Sequence, residues 1–220
     1  KSAYVFVWGD CGSDVFVSDL LLYKPDVHTP DQCQPRTWVE KDGRPVYWET
    51  CQTFSGSWGY HRDETTWKSP EQLIQMLINT VSRGGNLLMN VGPTARGTFD
   101  QRAQAALAVY GDWLRVNGRA VYGCSQGEFA EPDGCRFTQN GKRLYLHICN
   151  WPFKHLHIDG LAGRVAYAQL LHDASEIRFK EHEQAPHSAL EEKLGGNVLT
   201  LELPIVKPDV VVPVVELFLK

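Results

Sequence analysis

Residues 69–93, SPEQLIQMLINTVSRGGNLLMNVGP, decide how the first half of the chain folds. Ser69 stands where a helix N-cap is needed, Pro70 occupies the first helical position, and Gln72 sits three residues on to close a capping box. Leu73, Ile74, Leu77, Ile78 and Val81 then recur at helical spacing, which gives the helix one apolar face. Gly84 and Gly85 stop it. Asn86 to Val91 follows as a short apolar run of the kind that forms a buried strand, closed by Gly92 and Pro93. A second helix is expected from about Asp100 to Val116, with Ala103, Leu107, Tyr110 and Leu114 on one stripe and Asn117-Gly118 at its end. Helix, strand, helix is the repeating unit of an α/β layer or barrel.

Working outward, Tyr4 to Trp8 and Val15 to Val17 are further short apolar runs suited to a parallel sheet, followed by the acids Asp10 and Asp19. Residues 24 to 46 carry Pro25, Pro30, Pro35 and Pro45 with little periodicity and read as a long loop, a feature that in a compact domain is usually functional. A second loop, rich in Ser, Gly and aromatics, follows Trp48. From about Gly123 the periodicity changes to two. Leu144, Leu146 and Ile148 alternate with Tyr145, His147 and Cys149 after an Asn140-Gly141 turn, a strong hairpin signal. Asn197 to Leu203 and Val210 to Leu219 are further strands, punctuated by Pro204, Pro208 and Pro213. The boundary near residue 123 separates an α/β part from an all-β part read as a β-sandwich.

Composition bounds the function. Across 220 residues, 43% hydrophobic and 22% charged, the chain is globular, and its net charge of -4 argues against nucleic acid as a partner. No apolar run approaches the roughly 20 residues of a membrane helix. The six cysteines (Cys11, Cys33, Cys51, Cys124, Cys135, Cys149) show neither CxxC nor zinc spacing, so a structural metal is not expected and any disulfide pairing stays open. The segment after Lys1 lacks the features of a signal peptide, and the chain reads as either processed or part of a longer protein.

The loops between residues 24 and 67 concentrate rings and polar groups: His28, Asp31, Trp38, Trp48, Glu49, Trp58, Tyr60, His61, Asp63 and Trp67. A sugar asks for this mixture, because its C–H faces stack on aromatics while its hydroxyls need hydrogen-bonding partners. Any single Trp among them is equally at home in a core. A glycosidase also needs two carboxylates, about 5–5.5 Å apart when configuration is retained. Asp10, Asp19, Asp31 and Glu49 are the candidates, and spacing does not choose among them.

The runs Tyr47-Trp48-Glu49-Thr50-Cys51, Ser57-Trp58-Gly59-Tyr60, Gly84-Gly85-Asn86-Leu87-Leu88-Met89-Asn90-Val91-Gly92-Pro93-Thr94 and Trp113-Leu114-Arg115-Val116-Asn117-Gly118, with Val121-Tyr122, closely resemble the α-L-fucosidases of glycoside hydrolase family 29. The resemblance implies a retaining hydrolase that removes terminal α-L-fucose through a covalent glycosyl-enzyme, with neither metal nor cofactor. It implies an α/β fold in which residues 1–122 are the C-terminal portion of a (β/α)8 TIM-type barrel and residues 123–220 an all-β sandwich domain. Asp10, in Trp8-Gly9-Asp10-Cys11-Gly12, is the implied nucleophile. Asp31, in Thr29-Pro30-Asp31 where many members carry Thr-Pro-Glu, is the implied acid/base. Glu49 is the rival for that role; its neighbours Trp48 and Cys51 suggest instead an inward-packed strand end, where a carboxylate ties loops together. Trp58 matches a ring placed against the apolar face of fucose, and His28 and His61 either line the pocket or are ordinary loop histidines. Ser18-Asp19-Leu20 stands where the family often has Asn-Asp-Arg. A fucosylated glycan is the implied substrate, no membrane partner is implied, and the compartment is secreted, periplasmic or lysosomal. A carbohydrate-binding remnant that keeps the aromatic pocket without the catalytic pair is the alternative reading.

Overall fold

The computed structural model describes residues 48–182 and 197–220, together with the backbone of four short strands at 5–8, 21–22, 40–41 and 44–45. It divides into two compact units, Lys1–Ser125 and Gln126–Lys220. The first unit holds strands β1 (Val5–Trp8), β2 (Leu21–Leu22), β3 (Glu40–Lys41), β4 (Arg44–Pro45), β5 (Trp48–Thr53) and β6 (Gly85–Asn90), with helices α1 (Pro70–Val81) and α2 (Gln101–Asn117). Four of its strands form an all-parallel sheet in the order β1-β6-β5-β2, while β3 and β4 make a small antiparallel pair within the stretch expected to be loop. The run Val15 to Val17 lies outside the described residues.

Helix α1 starts as its sequence demands. Ser69 accepts from the Gln72 amide, the Gln72 side chain accepts from the Ser69 amide at 2.8 Å, and Leu73, Ile74, Leu77, Ile78 and Val81 are buried. The two glycines that follow do different work. Gly84 takes φ +74°, a left-handed conformation that suits glycine. Gly85 instead makes room: the fully buried Trp48 ring lies so close that a Cβ there would sit 2.7 Å from the ring carbon Cδ2. The indole N–H of Trp48 donates to the Arg83 carbonyl at 2.8 Å, just past the helix end. Trp48 and Gly85 are register partners, so this contact fixes how β5 lies on β6.

Helix α2 is capped by Asp100, whose carboxylate accepts from the Arg102 amide at 2.9 Å. Its buried stripe is Ala103, Ala106, Tyr110, Trp113 and Asn117, rotated from the expected one: Leu107 and Leu114 lie at its margin, half-buried. Alternating steps of three and four along that stripe put small alanines inward, which lets the helix sit close. At its end Asn117 is fully buried and donates to the Trp113 carbonyl at 3.2 Å, and the Tyr122 ring packs on Gly118. In the run from Trp113 to Tyr122, Trp113, Asn117, Ala120 and Val121 are buried, and the helix ends within it.

The second unit is all-β. Strands β7 (Ser125–Gln126), where the unit begins, β8 (Cys135–Asn140), β9 (Arg143–Ile148), β11 (Val165–Leu170) and β14 (Val214–Leu219) form one sheet in the order β11-β14-β9-β8-β7. Strands β10 (His155–Asp159), β12 (Arg178–His182) and β13 (Val198–Glu202) form a second, ordered β10-β13-β12. Leu144, Leu146, Ile148, Val215 and Leu217 of one sheet share a core with Ile158, Leu199 and Leu201 of the other. The β8–β9 hairpin turns through Gly141-Lys142, since Asn140 still pairs with Arg143, and Gly141 supplies the positive φ of +55°. Strand β14 begins at Val214, later than the expected Val210, because Pro213 cannot donate to the ladder. Cys135 is completely buried in this core, which pushes its thiol up to about 12 and keeps it protonated.

Two glycine substitutions should separate close approach from conformational freedom. Gly85→Ala should destabilise the chain by about 1–3 kcal/mol, because the Trp48 ring has to move or β5 has to slip. Gly111→Ala, in mid-helix with nothing within 4 Å of the added carbon, should stabilise it by about 0.5–1 kcal/mol. Denaturant unfolding followed by tryptophan fluorescence reads both.

Candidate active site

Parallel strands share one C-terminal edge, and in α/β sheets ligands bind there, where the following loops converge. In this sheet the edge is marked by Thr53 of β5 and Asn90 of β6, which are register partners, and by Trp8 of β1, which is in register with Asn90 from the other side. From Thr53 the chain runs into a loop that returns at Ser69. Its base is closed by the Lys68 amide donating to the Phe54 carbonyl at 2.9 Å and by the Lys68 ammonium on the Ser55 carbonyl at 3.2 Å. Across its middle, the Gly56 amide donates to the Thr66 hydroxyl at 3.0 Å, and that hydroxyl donates to Glu64 at 2.6 Å. Such a loop, with its ends together and its own side chains bracing it, holds a shape.

The end of β6 supports the rising half of this loop. The Asn90 side-chain amide donates to the Trp58 carbonyl. Gly92 lies so tightly under the loop that a Cβ would come 2.6 Å from the carbonyl carbon of Gly59. The sequence runs Ser57-Trp58-Gly59-Tyr60 and Asn90-Val91-Gly92, more than 30 positions apart, thus meet as two sides of one structure. Between them is a shallow recess. Phe54, Ser55, Ser57, Tyr60, His61 and Trp67 line it from the loop, and Asn90, Val91 and Gly92 from the strand. Trp58 is not among the lining residues, although Ser57 and Gly59 on either side of it are, and 42% of its surface is exposed, an unusual state for the largest apolar side chain. The mixture of rings, hydroxyls and amide is one that stacks on apolar faces and hydrogen-bonds to hydroxyl groups.

The sequence candidates fall in different places. Asp10, Asp31 and His28 lie outside the described residues, as does Asp19. Glu49 is the second residue of β5, four positions and about 13 Å of strand rise before the edge where the recess opens. It is half-buried, which pushes its carboxyl up from the usual range, and among the described residues its carboxylate has no hydrogen-bond partner. Most of the neighbouring loop that this carboxylate is expected to tie, residues 24–46, lies outside the described residues. A raised pKa suits a general acid, but position comes before pKa for such a role. Among the described residues no cluster of three or more His, Cys, Asp or Glu could hold a metal, and no helix is long and apolar enough to cross a membrane.

A family model described as alpha-L-fucosidase matches residues 9–119, half of the chain. The chain belongs to the α-L-fucosidase family. Plasma alpha-L-fucosidase of Homo sapiens is 39% identical over 116 residues, which are 49% of this chain and 25% of that protein. Among solved structures, alpha-L-fucosidase isoenzyme 1 from Paenibacillus thiaminolyticus superposes with a TM-score of 0.74 at 36% identity, covering 84% of this chain and 43% of that one. A GH29 α-L-fucosidase from Bacteroides thetaiotaomicron, described as a trapped covalent intermediate in complex with 2-fluoro-fucosyl fluoride, gives 0.68 at 27% identity over 81% of this chain and 39% of that one. The chain thus spans about a quarter of the length of the curated relatives it matches. The α/β fold with a following β unit agrees with these neighbours.

Sequence reading missed the parts that hold the recess. Asn90 falls inside the strand expected over Asn86 to Val91 and Gly92 reads as its closing punctuation; nothing in either signals a distant loop until the parallel register brings the two segments together.

The placement of Glu49 carries a signed pH prediction. Its folded pKa lies above the unfolded one, so its contribution is most favourable at low pH and is lost as pH rises through the folded value. Glu49→Gln removes this penalty, and the variant should melt higher than the parent at pH 7, with the gap closing below about pH 4. Thermal melts at the two pH values check it.

Proposed function

We propose that this protein acts in the retaining hydrolysis of terminal α-L-fucosides, with fucosylated glycans or glycosides as substrate. What carries the reading is the recess itself: two of the sequence runs that resemble the fucosidases, 57–60 and 84–94, build it at the C-terminal edge of a parallel sheet. On this reading residues 1–122 are part of a (β/α)8 barrel, of which β2, β5, β6 and β1 with α1 and α2 are a sector, and residues 123–220 are its β-sandwich domain. Trp58 offers its ring to the apolar face of the sugar, and His28 lines the same pocket.

The chemistry is assigned to Asp10 and Asp31. Asp10 follows Trp8 by two residues in sequence, and Trp8 is in register with Asn90 at the edge where the recess opens, which supports Asp10 as the nucleophile. Attack of its carboxylate on the anomeric carbon would expel the aglycone oxygen as Asp31 protonates it. Asp31 would then take a proton from the water that releases fucose from the ester. The covalent intermediate named for the Bacteroides structure supports this double displacement. Asp31 is preferred to Glu49 because Glu49 starts its strand at the opposite edge. No cofactor enters the scheme. The plasma and tissue fucosidases among the relatives support an extracytoplasmic compartment.

Three variants test these assignments. Trp58→Ala should weaken binding of fucose or a fucose-like imino sugar by about 1–3 kcal/mol in a calorimetric titration, through lost stacking and apolar contact. Asp31→Ala should slow natural fucosides far more than activated aryl fucosides, and azide should partly restore turnover, since an external anion can replace the missing base. Glu49→Ala should give no azide rescue. Rescue at position 49 and none at 31 would reverse the two, while fucose binding without turnover would favour the carbohydrate-binding alternative.

A further inference from the structure

Arg102 stands outside the recess, on the first turn of α2, and spends its guanidinium on the loop that forms it. Its Nη1 donates to the Glu64 carbonyl at 2.9 Å, and its Cζ lies 4.6 Å from the centre of the Trp67 ring. The remaining edge is held by Asp100: Nε donates to one carboxylate oxygen at 2.9 Å and Nη2 to the other at 3.0 Å. The two-point contact fixes the plane of the guanidinium before it meets the loop. Asp100 is itself fixed as the cap of α2, and the neighbouring Arg102 holds its carboxyl down to about 2, so it stays charged over the working pH range. The rising half of the loop is held by Asn90 and Gly92; the descending half, Glu64 to Trp67, is held by Arg102.

We propose that Arg102 is a positioning residue for the sugar site. It sets the conformation of the Phe54–Lys68 loop, and through it the placement of Trp58, Tyr60 and His61, without touching the ligand. The inference rests on the functional reading above only for what the loop binds. The clamp does not depend on Arg102 being a cation alone. Lysine would keep the charge but lose the planar fork, and with it the simultaneous hold on Asp100, the Glu64 carbonyl and the Trp67 face.

The test compares Arg102→Ala and Arg102→Lys with the unmutated chain in two measurements. Hydrogen exchange, read by mass spectrometry, should speed up on the order of tenfold for peptides within 55–67 in the Ala variant, with peptides of α1 unchanged and the Lys variant between. Affinity for a fucose-like imino sugar should fall on the order of tenfold in the Ala variant, and KM for an aryl fucoside should rise by the same factor with kcat nearly unchanged. Unchanged exchange in the loop overturns the clamp. A loosened loop with unchanged affinity overturns the positioning role. Failure of the unmutated chain to bind any fucoside would remove the functional reading, and the positioning role with it, while the exchange comparison would still decide the clamp.

Discussion

The contact between Trp48 and Gly85 is the constraint from which the first unit is organised. A ring that large, completely buried, fits only where the neighbouring strand has no side chain, and its N–H is matched to a carbonyl freed by the end of α1. Sliding β5 by one residue would drive the ring into Asn86 and turn Glu49 onto the buried face of the strand. Because the lock sits at one end of the β5–β6 pair, everything at the other end inherits its register: Thr53 opposite Asn90, the loop leaving one, and the amide reaching up from the other.

Much of this was legible in the sequence where local chemistry decides. The capping box at Ser69 and Gln72, the apolar face of α1 and the β8–β9 hairpin are short-range patterns, each satisfied within a few residues of itself. The errors have the same origin. The expected stripe of α2 shares Ala103 and Tyr110 with the buried one, but close packing takes Ala106 and Trp113 in place of Leu107 and Leu114, which lie at the margin. Asn-Gly is a strong turn signal and centres the expected hairpin on Asn140-Gly141, while the pairing of Asn140 with Arg143 puts Gly141 first in the turn.

The site was legible as a set of residues and illegible as an arrangement. Rings and hydroxyls between positions 54 and 67 announce a surface that could take a sugar, and their motifs resemble the fucosidases closely. What sequence could not say is that Glu49, in the most conspicuous of those motifs, begins its strand while the recess lies at the strand's end. Direction along a parallel sheet separates the two by the length of the strand, and no spacing rule contains that information. Arg102 was invisible for the complementary reason: an arginine in the first turn of a helix is against the usual preference for acids there, and only its partners explain it.

Besides the brace of Thr66 and Glu64 and the stacked Trp67 ring, the Phe54–Lys68 loop takes its supports on its main chain. The carbonyls of Phe54, Ser55, Trp58 and Glu64 accept the bonds that hold it, and Gly92 presses against its backbone at Gly59 and Tyr60. The side chains at 58, 60 and 61 carry none of these supports. The loop is therefore a mount with interchangeable fittings: a lineage could exchange the groups presented to the recess one at a time, changing the chemistry offered there, without rebuilding the frame that presents them.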